Sequence, residues 1–300
     1  MIYVLVPAYN EAATVGLLLW KVRQVFSAFP REYQLLVVND GSTDGTDEVL
    51  APYARALPLT LITHRERRGY ARSVEELLRL AVARTDKPRR DLAVLLQADF
   101  SDGPDEIPEL VKRIESGADL ALADYRRRAG ITRREAMVRR LLPALLRRHR
   151  AGALDRPVDW VSTLKAMRLV TLARMLSERG GKAVLRSEGW AADAELLLEI
   201  SRHARRVEVV PLQNPAAPRQ RPSRAQPLRA AWAVWTMARG FRAAKTGHVR
   251  PAPSDAPPRA EPADATPADS AEPVPVRRRG RRRGRRRGGP PPQARSAAPS

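Results

Sequence analysis

The 300-residue sequence predicts an α/β domain whose mostly parallel central sheet is covered by helices on both faces. Short runs of apolar and β-branched residues alternate with segments of helical periodicity over the first 124 residues. The short runs are apolar throughout, which is typical of parallel strands buried on both faces. A hydrophobic fraction of 43% is enough for the core that such a sheet needs.

Each predicted element rests on its own pattern. Strands, recognised as compact apolar runs, are predicted at Ile2–Val6, Gln34–Val38, Leu59–Thr63, Leu92–Leu96, Asp119–Ala123 and Val207–Pro211. Helices, recognised by apolar residues three and four positions apart, are predicted at 12–28, 43–56, 69–83, 104–115, 132–150 and 228–245. Thr43 or Asp44 is expected to cap the second helix, because either side chain can accept a hydrogen bond from a free N–H group.

Three polar clusters directly follow predicted strands, at residues 7–12, 39–46 and 97–102. In open α/β sheets, ligands bind beyond the carboxyl ends of the strands. A nucleotide diphosphate needs an aromatic wall, a carboxylate for its base and a cation for its phosphates, and Tyr9, Asp40 and Asp99 can serve these needs in turn. Taken singly, each cluster also fits an ordinary turn.

The order of the three clusters resembles that of family 2 glycosyltransferases with the GT-A fold, in particular the dolichol-phosphate mannosyltransferase-like branch. Residues 7–11 match its Pro-x-Tyr-Asn-Glu segment, and residues 40–46 match its Asp-Gly-Ser-x-Asp-Gly-Thr segment. Gln97-Ala98-Asp99 stands where the branch usually has Asp-Ala-Asp. The resemblance covers about residues 1–225 and implies a Rossmann-like GT-A domain, with a nucleotide-sugar half at 1–124 and an acceptor half at 125–225.

The resemblance also implies roles for single residues. Binding of the nucleotide sugar is assigned to Pro7, Tyr9, Glu11, Asp40, Gln97 and Asp99. A Mg²⁺ or Mn²⁺ ion is assigned to Asp99, with Gln97 and Ser101 as weaker candidate ligands. The candidate catalytic residues are Asp99 and Asp193, and the candidates for binding acceptor or donor phosphates are Arg126, Arg219, Arg221 and Arg224. Because Gln97 replaces a carboxylate, we expect weaker metal binding than with two carboxylates.

Two segments of the second half are basic and amphipathic. The predicted helix at 132–150 has an apolar stripe surrounded by arginines at 133, 134, 139, 140, 147, 148 and 150. It fits either a core-packed helix with a solvated charged face or a helix lying on anionic lipid. Residues 226–248 form a second such helix, in which Trp232 and Trp235 suit either a membrane interface or packing on the domain. No apolar run approaches the roughly 20 residues of a spanning helix, so the expected membrane contact is peripheral.

The formal net charge is +21, and it is unevenly distributed. Residues 249–300 contain 12 of the 26 prolines and three Arg-Arg-Arg-Gly repeats, a composition that predicts disorder. With 12 arginines and 5 acidic residues, this tail carries +7 and leaves +14 on the rest of the chain. Arg-Gly segments can bind nucleic acid, although the tail has no aromatic residue for base stacking. The absence of cysteine excludes disulfides, zinc–thiolate sites and cysteine nucleophiles.

The resemblance implies, as the predicted function, inverting transfer of a sugar from a GDP- or UDP-sugar to an acceptor. The resemblance favours a polyprenyl phosphate as that acceptor, at the cytoplasmic face of the plasma membrane. Two alternatives remain at this point. One is a soluble glycosyltransferase that uses a hydroxyl acceptor with Asp193 as the base. The other, from a different class, is a degraded transferase domain that binds nucleic acid through its Arg-Gly tail.

Overall fold

The computed structural model describes residues 1–99, 101–125, 132–146, 154, 158–211 and 226–240. The chain divides into two units, Met1–Val249 and Arg250–Ser300, and the described residues belong to the first. Its strands are β1 (Ile2–Ala8), β2 (Tyr33–Asn39), β3 (Leu59–Thr63), β4 (Leu92–Leu95), β5 (Leu120–Asp124), β6 (Lys165–Arg168) and β7 (Val207–Pro211). Its α-helices are α1 (Val15–Ala28), α2 (Thr46–Ala56), α3 (Tyr70–Arg84), α4 (Ile107–Glu115), α5 (Arg133–Leu145), α6 (Leu169–Glu178), α7 (Trp190–Ser201) and α8 (Pro227–Gly240).

The strands form one sheet in the order β3-β2-β1-β4-β6-β5-β7. β1 is parallel to β2 and β4, β2 is parallel to β3, and β5 is parallel to β7. β6 is antiparallel to both of its neighbours, β4 and β5. The predicted mostly parallel α/β fold is therefore confirmed. The sequence patterns missed β6, because a four-residue strand with a basic residue at each end is not an apolar run.

Helices cover both faces of the sheet, which explains why its strands are apolar on both sides. Alternate residues of β1 point to opposite faces. Tyr3 and Leu5 pack in one core cluster with residues of α3, α5, α6, α7 and α8. Val4 and Val6 pack in the other with residues of α1, α2 and α4. The sheet is thus packed on both faces, and the carboxyl ends of its six mutually parallel strands lie along one edge.

Helix α5 is anchored in the core on one side. Its first turn is capped by Thr132, whose hydroxyl accepts from the Glu135 N–H at 3.2 Å. Arg139, which the sequence placed on the charged surface around the apolar stripe, is only 4% exposed and packs inward. That part of the prediction is wrong because Asp159 and Glu135 neutralise the Arg139 guanidinium inside the domain, at 2.7 and 3.1 Å.

Three helix starts also differ from the prediction, and α4 is one of them, because Pro104–Glu106 form a 3-10 turn before its first residue, Ile107. Helix α2 begins at Thr46 after Gly45, whose φ of 82° lies in the left-handed region. Thr43 and Asp44 precede this cap, although the Asp44 carboxylate still accepts from the Thr46 N–H at 3.2 Å. Helix α1 begins at Val15, three residues later than predicted. Within the described part of the chain, no helix is both long and apolar enough to cross a bilayer.

Candidate active site

The three polar clusters meet at the carboxyl edge of the sheet, as their positions after strands predicted. β1 and β2 run side by side in register, so that Ala8 pairs with Asn39. The Asp40 N–H donates to the Ala8 carbonyl at 2.8 Å, and the Leu96 N–H donates to the Leu5 carbonyl at 3.0 Å. The segments that follow β1, β2 and β4 therefore emerge next to one another.

The segment after β1 is bound to the segment after β2 along its length. The Asn10 N–H donates to Ser42 Oγ at 2.8 Å, and Asn10 Oδ1 accepts from the Thr43 N–H at 2.8 Å. The Glu11 N–H donates to Thr46 Oγ1 at 2.9 Å. Much of the Asp-Gly-Ser-x-Asp-Gly-Thr segment therefore shapes the loop that carries Tyr9 and Glu11. Pro7 lies upstream of that loop as a buried residue of β1.

Asp40 is buried and organises the loop that follows β3. Its Oδ1 accepts from the Arg68 N–H and its Oδ2 from the Gly69 N–H, each at 2.8 Å. His64 Nδ1 also lies 2.8 Å from Asp40 Oδ1, and His64 Nε2 lies 2.8 Å from Glu76 Oε2. A carboxylate has about four acceptor positions, so Oδ2 keeps room for one further donor such as a base N–H.

Gly41 allows this loop to pass close to β2. Its φ is +66°, and a Cβ at this position would lie 2.6 Å from the Arg67 nitrogen. Arg67 in turn places its guanidinium carbon 4.2 Å from the centre of the Tyr9 ring, a cation–π contact. The predicted aromatic wall is therefore paired with an exposed arginine, which the sequence patterns did not assign to the site.

The segment after β4 carries two carboxylates, of which Asp99 is partly exposed and Asp102 is buried. Gln97 and Asp99 are partly exposed and flank the buried Ala98. Asp99 Oδ1 accepts from the Ser101 N–H at 2.9 Å. Asp102 is buried, and its carboxylate accepts from the Gln97 N–H at 3.3 Å and from Thr163 Oγ1 at 2.8 Å. Asp102 thus anchors the loop and leaves Asp99 for ligands.

Burial raises the pKa of Asp102, while hydrogen bonds from Tyr125 and Thr163 oppose that rise and the charge of Asp99 adds to it. Tyr125 comes directly after β5, and Thr163 lies two residues before β6. The loop that carries Asp99 is therefore tied to two other strands of the sheet. Asp102 was part of a recognised cluster, but its spacing from Asp99 did not indicate this anchoring role.

The donor atoms fit a divalent cation that is shared with a substrate. Among the described residues, no three histidine or acidic side chains form a group that could hold a metal ion. Asp99 and Gln97 offer a carboxylate oxygen and an amide oxygen, which are hard ligands. Mg²⁺ is usually bound in this way, through one or two carboxylates together with substrate phosphates.

Asp193 lies inside a buried network. Its Oδ1 accepts from Lys165 Nζ and from the Tyr70 hydroxyl, both at 3.0 Å. Lys165 is 0% exposed and Asp193 2%. The Tyr70 hydroxyl also lies 2.8 Å from Gln97 Nε2, so the network reaches the segment after β4. Sequence patterns placed Asp193 on a helix but gave no sign of Tyr70 or Lys165 as its partners.

Burial raises the pKa of Asp193, although the Lys165 charge and hydrogen bond oppose the rise. Burial and the Asp193 charge raise the pKa of Tyr70 well above its ordinary value. The four candidate phosphate-binding residues, Arg126, Arg219, Arg221 and Arg224, lie outside the described residues.

A mostly parallel sheet with polar loops gathered at its carboxyl edge is the architecture of Rossmann-like nucleotide-binding domains. The chain belongs to glycosyl transferase family 2, whose model matches residues 3–167, more than half of the sequence. The family resemblance seen in the sequence is thereby confirmed.

Curated relatives match the first part of the chain. An undecaprenyl-phosphate 4-deoxy-4-formamido-L-arabinose transferase of Photorhabdus laumondii is 32% identical over 117 residues, covering 39% of this chain and 34% of the relative. A transferase of the same description from Edwardsiella ictaluri is 26% identical over 175 residues, covering 58% of this chain and 50% of the relative. The chain thus spans between a third and a half of the length of these relatives.

Solved structures share the fold over a larger part of the chain. Glucosyl-3-phosphoglycerate synthase from Mycobacterium tuberculosis, in complex with Mn²⁺, UDP-glucose and phosphoglyceric acid, has a TM-score of 0.53 at 21% identity and covers 79% of each chain. Mannosyl-3-phosphoglycerate synthase from Rubrobacter xylanophilus has a TM-score of 0.55 at 19% identity, covering 80% of this chain and 73% of that one. These similarities support the GT-A fold assignment.

Proposed function

We propose that this protein transfers a sugar from a GDP- or UDP-sugar to a polyprenyl phosphate with inversion at the anomeric carbon. The observation that carries the proposal is the placement of an open carboxylate, Asp99, at the same sheet edge as Tyr9 and Asp40. The relatives named for undecaprenyl phosphate support the choice of acceptor.

In this proposal the donor binds across the three loops. The base lies against Tyr9 and donates an N–H to Asp40 Oδ2, on the rigid loops that Pro7 and Glu11 help to build. The exposed Arg67 beside Tyr9 provides positive charge for the nucleotide phosphates. Asp99 and Gln97, with Ser101 nearby, would hold a Mg²⁺ or Mn²⁺ ion. When bound, such an ion neutralises the charge that develops on the leaving diphosphate.

The transfer itself is one displacement. An oxygen of the lipid phosphate forms a bond to the anomeric carbon while the bond from that carbon to the nucleoside diphosphate breaks. The leaving diphosphate takes the bonding electron pair. Because the two oxygens lie on opposite sides of the carbon, its configuration inverts. An ionised phosphate is already nucleophilic, so this reaction needs no general base.

The surroundings of Asp193 favour a phosphate acceptor over a hydroxyl. A hydroxyl acceptor needs a base within hydrogen-bond reach of its proton. Asp193 Oδ1 already accepts from Lys165 and Tyr70, and its side chain is buried. In our proposal Asp193 therefore positions its neighbours in the site and does not remove a proton.

A second candidate acceptor is a phosphorylated small molecule with a free hydroxyl. It is favoured by the coverage of the solved synthases, which extends over about 79% of this chain and so beyond the donor half. In our proposal residues 1–124 form the donor half and residues 125–225 form the acceptor half. Coverage of this extent therefore includes part of the half that would bind the acceptor. Phosphoglyceric acid, present in that complex, is the appropriate compound to test.

We also propose a peripheral membrane contact through α5 and α8, which touch each other. Met137 and Leu141 on α5, and Leu228 and Trp232 on α8, are four of the seven large hydrophobic residues that are exposed in the described part of the chain. Exposed arginines accompany them at positions 133, 134, 229 and 239. Apolar and cationic side chains together suit an anionic lipid surface, such as the cytoplasmic face of the plasma membrane.

The proline- and arginine-rich tail at 249–300 lies outside the described residues, and nucleic-acid binding through it remains a prediction from composition. Deletion of the tail from the purified protein tests this role. Loss of RNA binding with unchanged sugar transfer would make the tail an accessory segment. Loss of RNA binding in a protein that transfers no sugar would favour the nucleic-acid-binding alternative.

The deciding experiment incubates the purified full chain with labelled GDP- and UDP-sugars, Mg²⁺ or Mn²⁺, and either undecaprenyl phosphate or phosphoglyceric acid. We expect label in the lipid fraction, and D99N should lose it while retaining its fold, because Asn can still accept from the Ser101 N–H. A folded D99N variant with full activity would contradict the cation site. Label found only in phosphoglyceric acid would replace the proposed acceptor.

A further inference from the structure

We propose that Tyr70 is a positioning residue that fixes the Gln97 amide so that its carbonyl oxygen serves as a ligand of the divalent cation. This role rests on the cation site proposed at Asp99, and it extends that proposal to a residue that touches neither substrate nor metal. Tyr70 is the first residue of α3, whereas Gln97 follows β4.

The direction of the hydrogen bonds follows from a count of protons. The Tyr70 hydroxyl has one proton and two partners, Asp193 Oδ1 at 3.0 Å and Gln97 Nε2 at 2.8 Å. A carboxylate paired with a lysine can only accept, so the phenolic proton goes to Asp193. The Tyr70 oxygen must then accept from the Gln97 amide, which is the end of that side chain able to donate.

This direction settles which end of Gln97 is available to a cation. The two ends of a glutamine amide have nearly the same size, but only the oxygen can bind a metal ion. With its nitrogen hydrogen-bonded to Tyr70, the Gln97 oxygen is the end of the amide that Tyr70 does not hold. No described residue donates a hydrogen bond to Gln97 Oε1, so this oxygen is available as a ligand.

The support behind Tyr70 is rigid. Asp193 is held by Lys165, which belongs to β6 between β4 and β5 and is wholly buried. The residue before Tyr70, Gly69, donates its N–H to Asp40 at 2.8 Å. One two-residue segment therefore joins the carboxylate proposed for the base to the amide proposed for the cation.

The same count explains why an amide suits position 97. An ionised carboxylate at this position could only accept, so it would compete with Asp193 for the single proton of Tyr70. The cost of this competition should disappear when the Tyr70 hydroxyl is absent. Q97E, which keeps the length of the side chain, should therefore improve metal affinity more in a Y70F background than in the wild-type background.

The test measures Mn²⁺ binding by electron paramagnetic resonance of the free ion, with the full chain and either UDP or GDP present. Supporting side chains of metal ligands typically contribute about 10-fold or more to affinity, and we expect Y70F to weaken Mn²⁺ binding by about that factor. The matched control is Y3F, which removes a hydroxyl from another tyrosine of the same core cluster and should leave Mn²⁺ affinity unchanged.

A folded Y70F variant with wild-type Mn²⁺ affinity would overturn the role of Tyr70 and leave the proposed function standing. Absence of Mn²⁺ binding by the wild-type protein with either nucleotide would overturn the cation site and this role together. If Y70F does not fold, ¹⁵N-glutamine labelling of the wild-type protein decides the question. The Gln97 amide signal, identified by its loss in Q97E, should exchange slowly with water, and rapid exchange would overturn the proposal.

Discussion

Lys165 and Asp193 form an ion pair of 3.0 Å between β6 and α7, and both side chains are shielded from water. Removal of one partner from a buried pair leaves an uncompensated charge, which typically costs about 3–5 kcal/mol. We expect K165M to destabilise the domain by an amount in this range at neutral pH, as measured by urea unfolding. The exposed Lys182 supplies the control, because K182M should change stability by less than about 0.5 kcal/mol.

The destabilisation by K165M should also depend on pH. The pKa of Asp193 is raised by burial and lowered in part by Lys165, so loss of the lysine raises that pKa further. A carboxyl whose folded pKa lies above its unfolded value of 3.8 favours folding below 3.8, and this contribution is lost as pH rises through the folded pKa. The gap in unfolding free energy between wild type and K165M should therefore widen as pH rises above 3.8 through the folded pKa values of the two proteins. A constant gap would contradict this account of the pair.

Arg139 should be a second position where the loss of one charge is costly. It contacts Asp159 and Glu135, and its guanidinium lies about 5 Å from the rings of Tyr125 and Trp190, at 5.1 and 5.0 Å. R139M would leave two carboxylates buried without a cation, at an expected cost of about 3–5 kcal/mol. R134M, on the exposed start of the same helix, should be nearly neutral in the same urea titration.

The fold could be predicted from sequence wherever the spacing of apolar residues within an element is typical of a helix or of a buried strand. β1 to β5 were recognisable because both faces of the sheet are buried, which makes the strands apolar throughout. β6 was not predicted because a lysine in a short segment is typical of a surface residue. Lys165 is buried only because Asp193, on the helix that begins 25 residues later, neutralises its charge. Long-range pairing of charges leaves no local pattern.

The candidate site also has a part that could be predicted from sequence and a part that could not. Tyr9, Asp40 and Asp99 follow strands, so their common location could be predicted from the order of the elements. The contacts of Tyr70 and Arg67 could not, because both depend on how the loop after β3 passes over Gly41. Motifs thus indicated which loops form the site, while packing determined which side chains support it.

Substitution of Gly41 by alanine should destabilise the protein far more than the same substitution at Gly180, a glycine with a similar backbone conformation. A Cβ at Gly41 would lie 2.6 Å from backbone atoms of residues 66 and 67, whereas one at Gly180, with φ of +53°, would meet nothing within 4 Å. G180A should therefore cost only the left-handed strain of about 1–2 kcal/mol. G41A should cost more in urea unfolding and should also weaken nucleotide binding in calorimetry. Equal costs would show that the loop after β3 moves freely.

Asp40 should affect both stability and donor binding. In D40N, one carboxylate oxygen becomes an NH₂ group that faces the Arg68 or Gly69 N–H. A buried donor left unsatisfied typically costs about 1–3 kcal/mol. We expect a loss of this size in thermal or urea unfolding, together with weaker UDP or GDP binding in calorimetry. Unchanged nucleotide affinity in folded D40N would remove Asp40 from the proposed base site.

The proposed membrane contact can be distinguished from non-specific hydrophobic adsorption because the domain has a second pair of exposed apolar residues. Leu17 and Trp20 lie on α1, which packs against the opposite face of the sheet from α5 and α8. L228S/W232S should reduce sedimentation with phosphatidylglycerol vesicles, and L17S/W20S should not. Each positive side chain near an anionic surface contributes about 1 kcal/mol, so R133Q/R134Q should weaken binding by about 2 kcal/mol at low salt and by less at high salt. Equal losses from both apolar pairs, or equal binding to neutral phosphatidylcholine vesicles, would exclude α5 and α8 as a specific lipid-binding surface.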